Sequence, residues 1–241
     1  MAKSLLSPFH RSLKPPEPVN TQSTGINAIP CWLYRNIYTK ILPDFVRELN
    51  AATNGCETIL DVGCGARSPI EHFSKKFHRS VGVDMHKPSI EISRSAGIHS
   101  EYKQIDILHI EKRFKLHSFD CVIALDVIEH LKKKEGFKLL RQMEKLARKR
   151  IIIFTPTGFL PQGEYDENPW QVHKSGWEVE EMQRLGYRVI GINGWKPLRG
   201  EYAEIKFWPK YFWISISDIT QRLVRYFPRH AFQLLCIKDK K

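Results

Sequence analysis

Apolar positions along this chain fall into short unbroken runs, separated by stretches in which they recur every third or fourth residue. The runs predict buried strands and the wider spacing predicts amphipathic helices. Strands are expected at 58–62, 80–84, 101–106, 119–125, 150–155, 187–192 and 231–238. Strands alternating with helices imply an α/β fold with a parallel sheet covered on both faces. Such sheets bind ligands beyond the carboxyl ends of their strands.

Several helices carry their own boundary signals. Between 29 and 49, Trp32, Leu33, Ile37, Ile41, Phe45 and Leu49 keep helical spacing, and Pro43 should divide the stretch. After the first strand, Ser68 can cap a helix, Pro69 suits its first position and Glu71 completes a capping box. Ser175 and Glu178 repeat that box before WEVEEMQRLG, where Gly186 should end the helix. In KKKEGFKLLRQMEKLA, Phe137, Leu140, Met143 and Ala147 share one face.

The segment at 195–230 breaks the alternation. Five of the seven residues from Phe207 to Trp213 are aromatic. Ile216, Ile219, Leu223 and Phe227 then recur at helical spacing, with Arg222 and Arg225 alongside and Pro228 as a stop. Such a helix suits ordinary core packing or a dimer contact, a lid over an apolar acceptor, peripheral membrane contact through 207–227, or a platform on which bases stack.

With 241 residues the chain suits one domain with additions. The expected organisation is a tail at 1–28 followed by one domain at 29–241, with a helical extension at 29–55 and the insertion at 195–230. A net charge of +12 favours anionic partners such as nucleic acid, lipid headgroups or acidic metabolites. Five scattered cysteines without a CxxC pair argue against a zinc site and a disulfide framework. No signal peptide is evident and no run of eighteen apolar residues occurs, so a cytoplasmic setting is expected, with membrane association through 207–227 as an addition.

The candidate chemistry begins at TILDVGCGARSPIEHF, residues 58 to 73. A dinucleotide site wants G-x-G-x-x-G, and the third glycine is missing after Gly63 and Gly65. Asp61 would repel a pyrophosphate by ~1 kcal/mol or more even near a wet surface. No G-K-[ST] follows, which excludes a P-loop. An acidic glycine loop suits a cationic ligand, and S-adenosylmethionine carries a sulfonium, an ammonium and no phosphate. Asp84 ends the second strand, about twenty residues on, where a carboxylate can accept hydrogen bonds from both ribose hydroxyls. Asp106 ends the third strand and can accept from the adenine amino group, and Met85 can lie against the ring.

ILDVGCG, VGVD, QIDI and FDCVIALDVIEHL stand in the order and at the spacing of successive motifs of the class I S-adenosylmethionine-dependent methyltransferases, and the chain resembles that family. The resemblance covers roughly 56–194 and 231–238. It implies a Rossmann-like, seven-stranded, mostly parallel sheet with helices on both faces and the last strand antiparallel. It places Asp61, Gly63, Cys64 and Gly65 at the methionine end of the cofactor, Asp84 and Met85 at ribose and adenine, Asp106 and Ile107 at the adenine edge, and Leu125 and Asp126 by the methyl donor. LARKRIIIFTP lacks the PGG turn often found before the fifth strand of that family.

Methyl transfer needs alignment of the nucleophile and exclusion of water, and needs a base only when the nucleophile must lose a proton. LDVIEHL resembles the stretch after the fourth strand in methyltransferases of the ubiquinone-biosynthesis type. His130 there and His173 in NPWQVHKSGW are the candidate bases, and Glu129 reads as a residue that fixes the local turn. With no metal-ligand company visible for either histidine, no metal is expected. The reading is methyl transfer to a small or lipid-like acceptor, at oxygen. The absence of NPPY or DPPY after the fourth strand argues against base-directed chemistry, leaving an RNA or tRNA methyltransferase as the alternative and a non-catalytic, cofactor-binding partner subunit as a second.

Overall fold

The computed structural model describes residues 44–163 and 169–240. The expected tail and most of the 29–49 helical stretch lie outside these residues. Directly after Pro43 comes helix α1 (Asp44–Ala52), which buries Phe45, Val46 and Leu49.

Seven strands form one sheet: β1 (Thr58–Val62), β2 (Arg79–Asp84), β3 (Glu101–Gln104), β4 (Phe119–Leu125), β5 (Ala147–Pro156), β6 (Arg188–Trp195) and β7 (Ala231–Asp239). Their order is β3-β2-β1-β4-β5-β7-β6. Five strands run parallel to their neighbours, and β7 inserts antiparallel between β5 and β6. The order reverses between β1 and β4, so their carboxyl ends flank the crevice where such sheets take ligands.

Period-two alternation divides the side chains of the central strands. Leu60, Val62, Val122, Ala124, Ile151 and Ile153 face helix α3 (Lys133–Leu146), which buries Leu139, Leu140, Met143 and Leu146 against them. Ile59, Cys121, Ile123, Ile152 and Phe154 face the other way, onto α1, where Phe45 stacks on Phe154 with ring centroids 3.9 Å apart. Strands buried on both faces therefore read as continuous apolar runs. The remaining α-helices among the described residues are α2 (Lys87–Ser95), α4 (Val179–Arg184) and α5 (Lys210–Val224).

Three local expectations are corrected. The Ser68 cap is real, its hydroxyl accepting from the Ile70 N–H, but it opens only a 3-10 turn (Pro69–His72). Phe73 leaves helical geometry, with φ −146° and ψ 20°, and Glu71 pairs with Arg67 instead of closing a box. Ser175 does not cap α4. Its hydroxyl donates to Ile128 O at 3.2 Å, and α4 starts only after Glu178.

The third correction concerns α5, which does not pack its apolar stripe as core. Its buried face consists of Ser217, Gln221 and Val224, while Phe212, Ile219 and Leu223 point outward. The reason lies in β6, an edge strand with backbone groups left over from the sheet. Gln221 Nε2 donates to Gly191 O at 2.9 Å, Gln221 Oε1 accepts from Gly194 N at 2.9 Å and Thr220 Oγ1 accepts from Trp195 N at 3.0 Å. Glycine is required for this approach: a Cβ on Gly191 would lie 2.0 Å from Val224 O.

Candidate functional site

At the end of β1 the chain turns through Gly63 (φ +72°) and Gly65 (φ +56°), backbone that favours glycine. A Cβ on Gly63 would stand 2.6 Å from a Val127 methyl, so the first turn also needs glycine for space. Gly63 N and Cys64 N both donate to Val83 O, at 2.8 and 3.0 Å. The Cys64 side chain is buried against Gly82, and burial pushes its thiol pKa up. Cys64 is thus a packing thiol, with its role at the turn confined to the backbone.

Asp84 at the end of β2 organises the loop. Its Oδ2 accepts from Gly65 N at 2.9 Å and its Oδ1 from His86 N at 2.8 Å. Burial raises its pKa, opposed by the His86, Gly65 and Met85 N–H groups. Met85 beside it is exposed, so its side chain is available to a flat ring. Beyond β3, Asp106 caps a 3-10 segment (Ile107–Lys112), with Oδ1 accepting from Leu108 N at 2.9 Å and Oδ2 3.0 Å from His109 Nδ1. A depression lined by Ile105, Asp106, His109, Lys112 and Arg113 opens there, and Ile107 packs back on the core. Asp61, Gly63, Gly65, Asp84, Met85 and Asp106 thus gather along adjacent strand ends.

Asp61 is buried, and its Oδ2 lies 3.0 Å from His99 Nε2. Sequence reasoning missed His99. Register explains its position, since Asp61 pairs with Gly82 on β2 and His99 fills the space that Gly82 leaves.

At the end of β4, Leu125 is half-buried and Asp126 takes a left-handed conformation (φ +53°). Asp126 N donates to Phe154 O at 2.9 Å, and Asp126 Oδ1 accepts from Gln233 Nε2 at 3.0 Å. Burial lifts its carboxyl to about 7, against the pull of Gln233 and Glu129. Gln233 in turn accepts from Asn193 Nδ2, which connects this carboxyl to the end of β6.

The next turn (Ile128–His130) gathers a cluster. Glu129 O accepts from Lys174 N at 2.7 Å and Ser175 N at 3.0 Å, which clamps the distant 173–175 segment onto the turn. His130 Nδ1 faces Val172 O at 3.3 Å and His173 Nδ1 faces Leu160 O at 2.6 Å. Each Nδ1 therefore carries the proton that it donates, which leaves each Nε2 a lone pair. The two rings pack edge to face, 4.7 Å apart. Glu129 Oε2 accepts from Thr155 Oγ1 at 3.0 Å, while Oε1 is buried without a hydrogen-bond partner. One ligand atom each from Glu129, His130 and His173 falls within 4.8 Å of the others.

This corrects the expectation that neither histidine has metal-ligand company. Two imidazoles and a carboxylate, with each imidazole oriented by a carbonyl on its far nitrogen, form a donor set that suits a divalent transition metal. Burial lowers His130 to about 4, with His173 as the second cause, and burial lowers His173. Burial, then the Asp126 carboxyl, pushes Glu129 up.

Residues 60–154 match the family model described as a methyltransferase domain. This match covers less than half of the chain and supports a class I S-adenosylmethionine-dependent methyltransferase domain. A ubiquinone biosynthesis O-methyltransferase from Nitrosococcus oceani is 29% identical over 86 residues, covering 34% of this chain and 36% of that protein. The match thus spans about a third of that curated relative's length. Among solved structures, an S-adenosylmethionine-dependent methyltransferase from Archaeoglobus fulgidus is similar with a TM-score of 0.55 and 19% identity, over 88% of this chain and all of that one. The magnesium protoporphyrin IX methyltransferase of Synechocystis PCC 6803, crystallised with S-adenosylmethionine, gives 0.50 and 15%, over 91% and 87% of the two chains. These likenesses establish the shared fold. The cofactor of such domains is S-adenosylmethionine, and the acidic strand ends fit it: carboxylates at Asp61 and Asp84 match an ammonium and a diol.

Proposed function

We propose that this chain transfers a methyl group from S-adenosylmethionine to an oxygen of a small or lipid-like hydroxylated acceptor, with a divalent cation held by Glu129, His130 and His173. The observation that carries the reading is that one ligand atom each from Glu129, His130 and His173 falls within 4.8 Å of the others, directly beyond β4 and beside Asp126. Methyl transfer is an in-line displacement on a carbon already activated by the sulfonium, so the protein has to align the nucleophile and remove its proton. A bound cation would lower the pKa of a hydroxyl held against it so that its proton passes to solvent, with His130 and His173 serving as ligands through Nε2 rather than as bases. The chain's own part is to fix both imidazoles through Val172 O and Leu160 O, to hold Glu129 through Thr155, and to keep the 173–175 segment against the turn through the Glu129 carbonyl. Oxygen as the acceptor atom agrees with the name of the Nitrosococcus relative.

Methyl transfer to an alkyl catechol is the test. EDTA should abolish turnover, Mn(II) or Zn(II) should restore it, and calorimetric affinity for S-adenosylmethionine should be unaffected. Glu129→Gln should lose bound metal in elemental analysis. Turnover indifferent to EDTA would remove the cation, and methylation of RNA with none of catechol would replace the acceptor class.

A further inference from the structure

The outward face of α5 has no partner among the described residues. Projected at 100° per residue, Phe212, Ile219, Leu223 and Tyr226 fall within about 60° of one another, opposite Ser217, Gln221 and Val224. Trp208 continues the line at one end with 83% of its surface exposed, and Tyr226 ends it at 75%. Phe212, Ile219, Leu223 and Phe227 each expose more than half. The helix extends about 22 Å, so this is a continuous apolar ridge. Single exposed apolar residues need no explanation, whereas a ridge rimmed by charge marks an interaction surface.

We infer that this ridge docks on an anionic lipid surface. Charge selects the occupant. Segment 195–230 holds seven Lys and Arg against three acids, within a chain of net charge +12. Arg222 on the helix and Lys206 just before it are exposed and make no ion pair among the described residues. Aromatic residues at both ends, aliphatic residues between them and cations at the rim match the layering of a lipid interface, where indole and phenol rings settle at headgroup depth. Other contacts keep the helix in place: Arg225 pairs with Glu48 and Arg229 with Glu180.

Position gives the surface a purpose. α5 is mounted on the carboxyl end of β6, the sheet edge that also carries the ends of β4 and β5. Asn193 beneath the helix reaches Asp126 through Gln233. A docked ridge would therefore bring the acceptor side of the site toward the bilayer, from which a lipid-like acceptor could be drawn.

Flotation with phosphatidylcholine vesicles, with and without phosphatidylglycerol, decides the matter. Wild type should float with the anionic vesicles and stay down with the neutral ones. Ile219→Asp with Leu223→Asp should lower flotation at least ~10-fold, with an unchanged melting temperature because both side chains are exposed. Lys206→Glu with Arg222→Glu is the second variant, and it should lose the phosphatidylglycerol dependence whatever happens to the first. Wild type that ignores both vesicle types, or variants that float as wild type does, would overturn the docking. So would a wild-type dimer that the aspartates dissociate, since the ridge would then be covered by a second copy. Cofactor affinity measured on the same samples separates this outcome from failure of the methyltransferase reading.

Discussion

His99 Nε2 lies 3.0 Å from Asp61 Oδ2, and both side chains are buried behind the first glycine turn. The histidine is itself held in place: its N–H donates to Tyr102 Oη at 3.0 Å, and that hydroxyl donates to Ser93 O at 2.7 Å. Asp61 thus has one oxygen fixed by an imidazole, and we propose that the other takes the cofactor's ammonium. His99→Phe keeps the ring volume and removes the donor. Affinity for S-adenosylmethionine should fall ~10-fold, about 1.4 kcal/mol for one lost hydrogen bond to a charged group. Calorimetry on the two proteins measures it, and equal affinities would leave His99 a packing residue.

Asp84 holds the Gly65 and His86 N–H groups, and the ribose diol is the ligand we propose for the lone pairs that remain. Asp84→Ala removes a charged acceptor from both. A loss of ~100-fold in cofactor affinity is expected, about 3 kcal/mol. Circular dichroism should remain native, and unaltered binding would remove the ribose assignment.

Gly191 is needed for the approach of α5, since a Cβ there would meet Val224 O at 2.0 Å. Gly191→Ala should destabilise the protein by about 2–3 kcal/mol through forced overpacking. Urea denaturation reads this directly. A midpoint equal to wild type would mean that the helix moves aside at no cost.

Asp120 sits at the opposite end of the sheet. Burial would raise its pKa, but Glu57 N at 2.9 Å and the Arg148 and Lys149 cations prevail and hold it below the usual carboxylate range. A depressed folded pKa adds stability that is present above the unfolded value of about 3.9 and is lost as pH falls through the folded one. Asp120→Asn should cost about 1–2 kcal/mol at neutral pH, with the gap to wild type narrowing below about pH 4. A gap constant with pH in denaturant titrations would assign the loss to packing.

The strands were legible because five of them are buried on both faces or lie between buried neighbours, which leaves uninterrupted runs such as Cys121–Leu125 and Ile151–Phe154. The candidate cofactor residues could be picked out because Asp61, Asp84 and Asp106 lie at or just beyond the carboxyl ends of three adjacent strands. The features that escaped were determined by partners remote in sequence. Ser175 has the spacing of a cap yet serves Ile128, 47 residues away. His99 is a lone histidine whose meaning depends on its register beside Gly82, and the glycine inside SVGVD was the one available signal. The Glu129, His130 and His173 cluster joins two loops that adjoin only after β4 and β5 have paired. For α5, periodicity located the stripe correctly but could not tell which side faces the protein, because the hydrogen-bonding demand comes from the backbone of β6.

That demand also acts as a lock on rotation. Were α5 to roll half a turn and hide its phenyl and butyl groups, Gly191 O, Gly194 N and Trp195 N would lose their side-chain partners together, at about 1–3 kcal/mol for each group left dry. Torsion about the helix axis is therefore opposed by the sheet's margin, and greasiness on the outer side is a permanent attribute of the folded chain rather than one of two interchangeable poses.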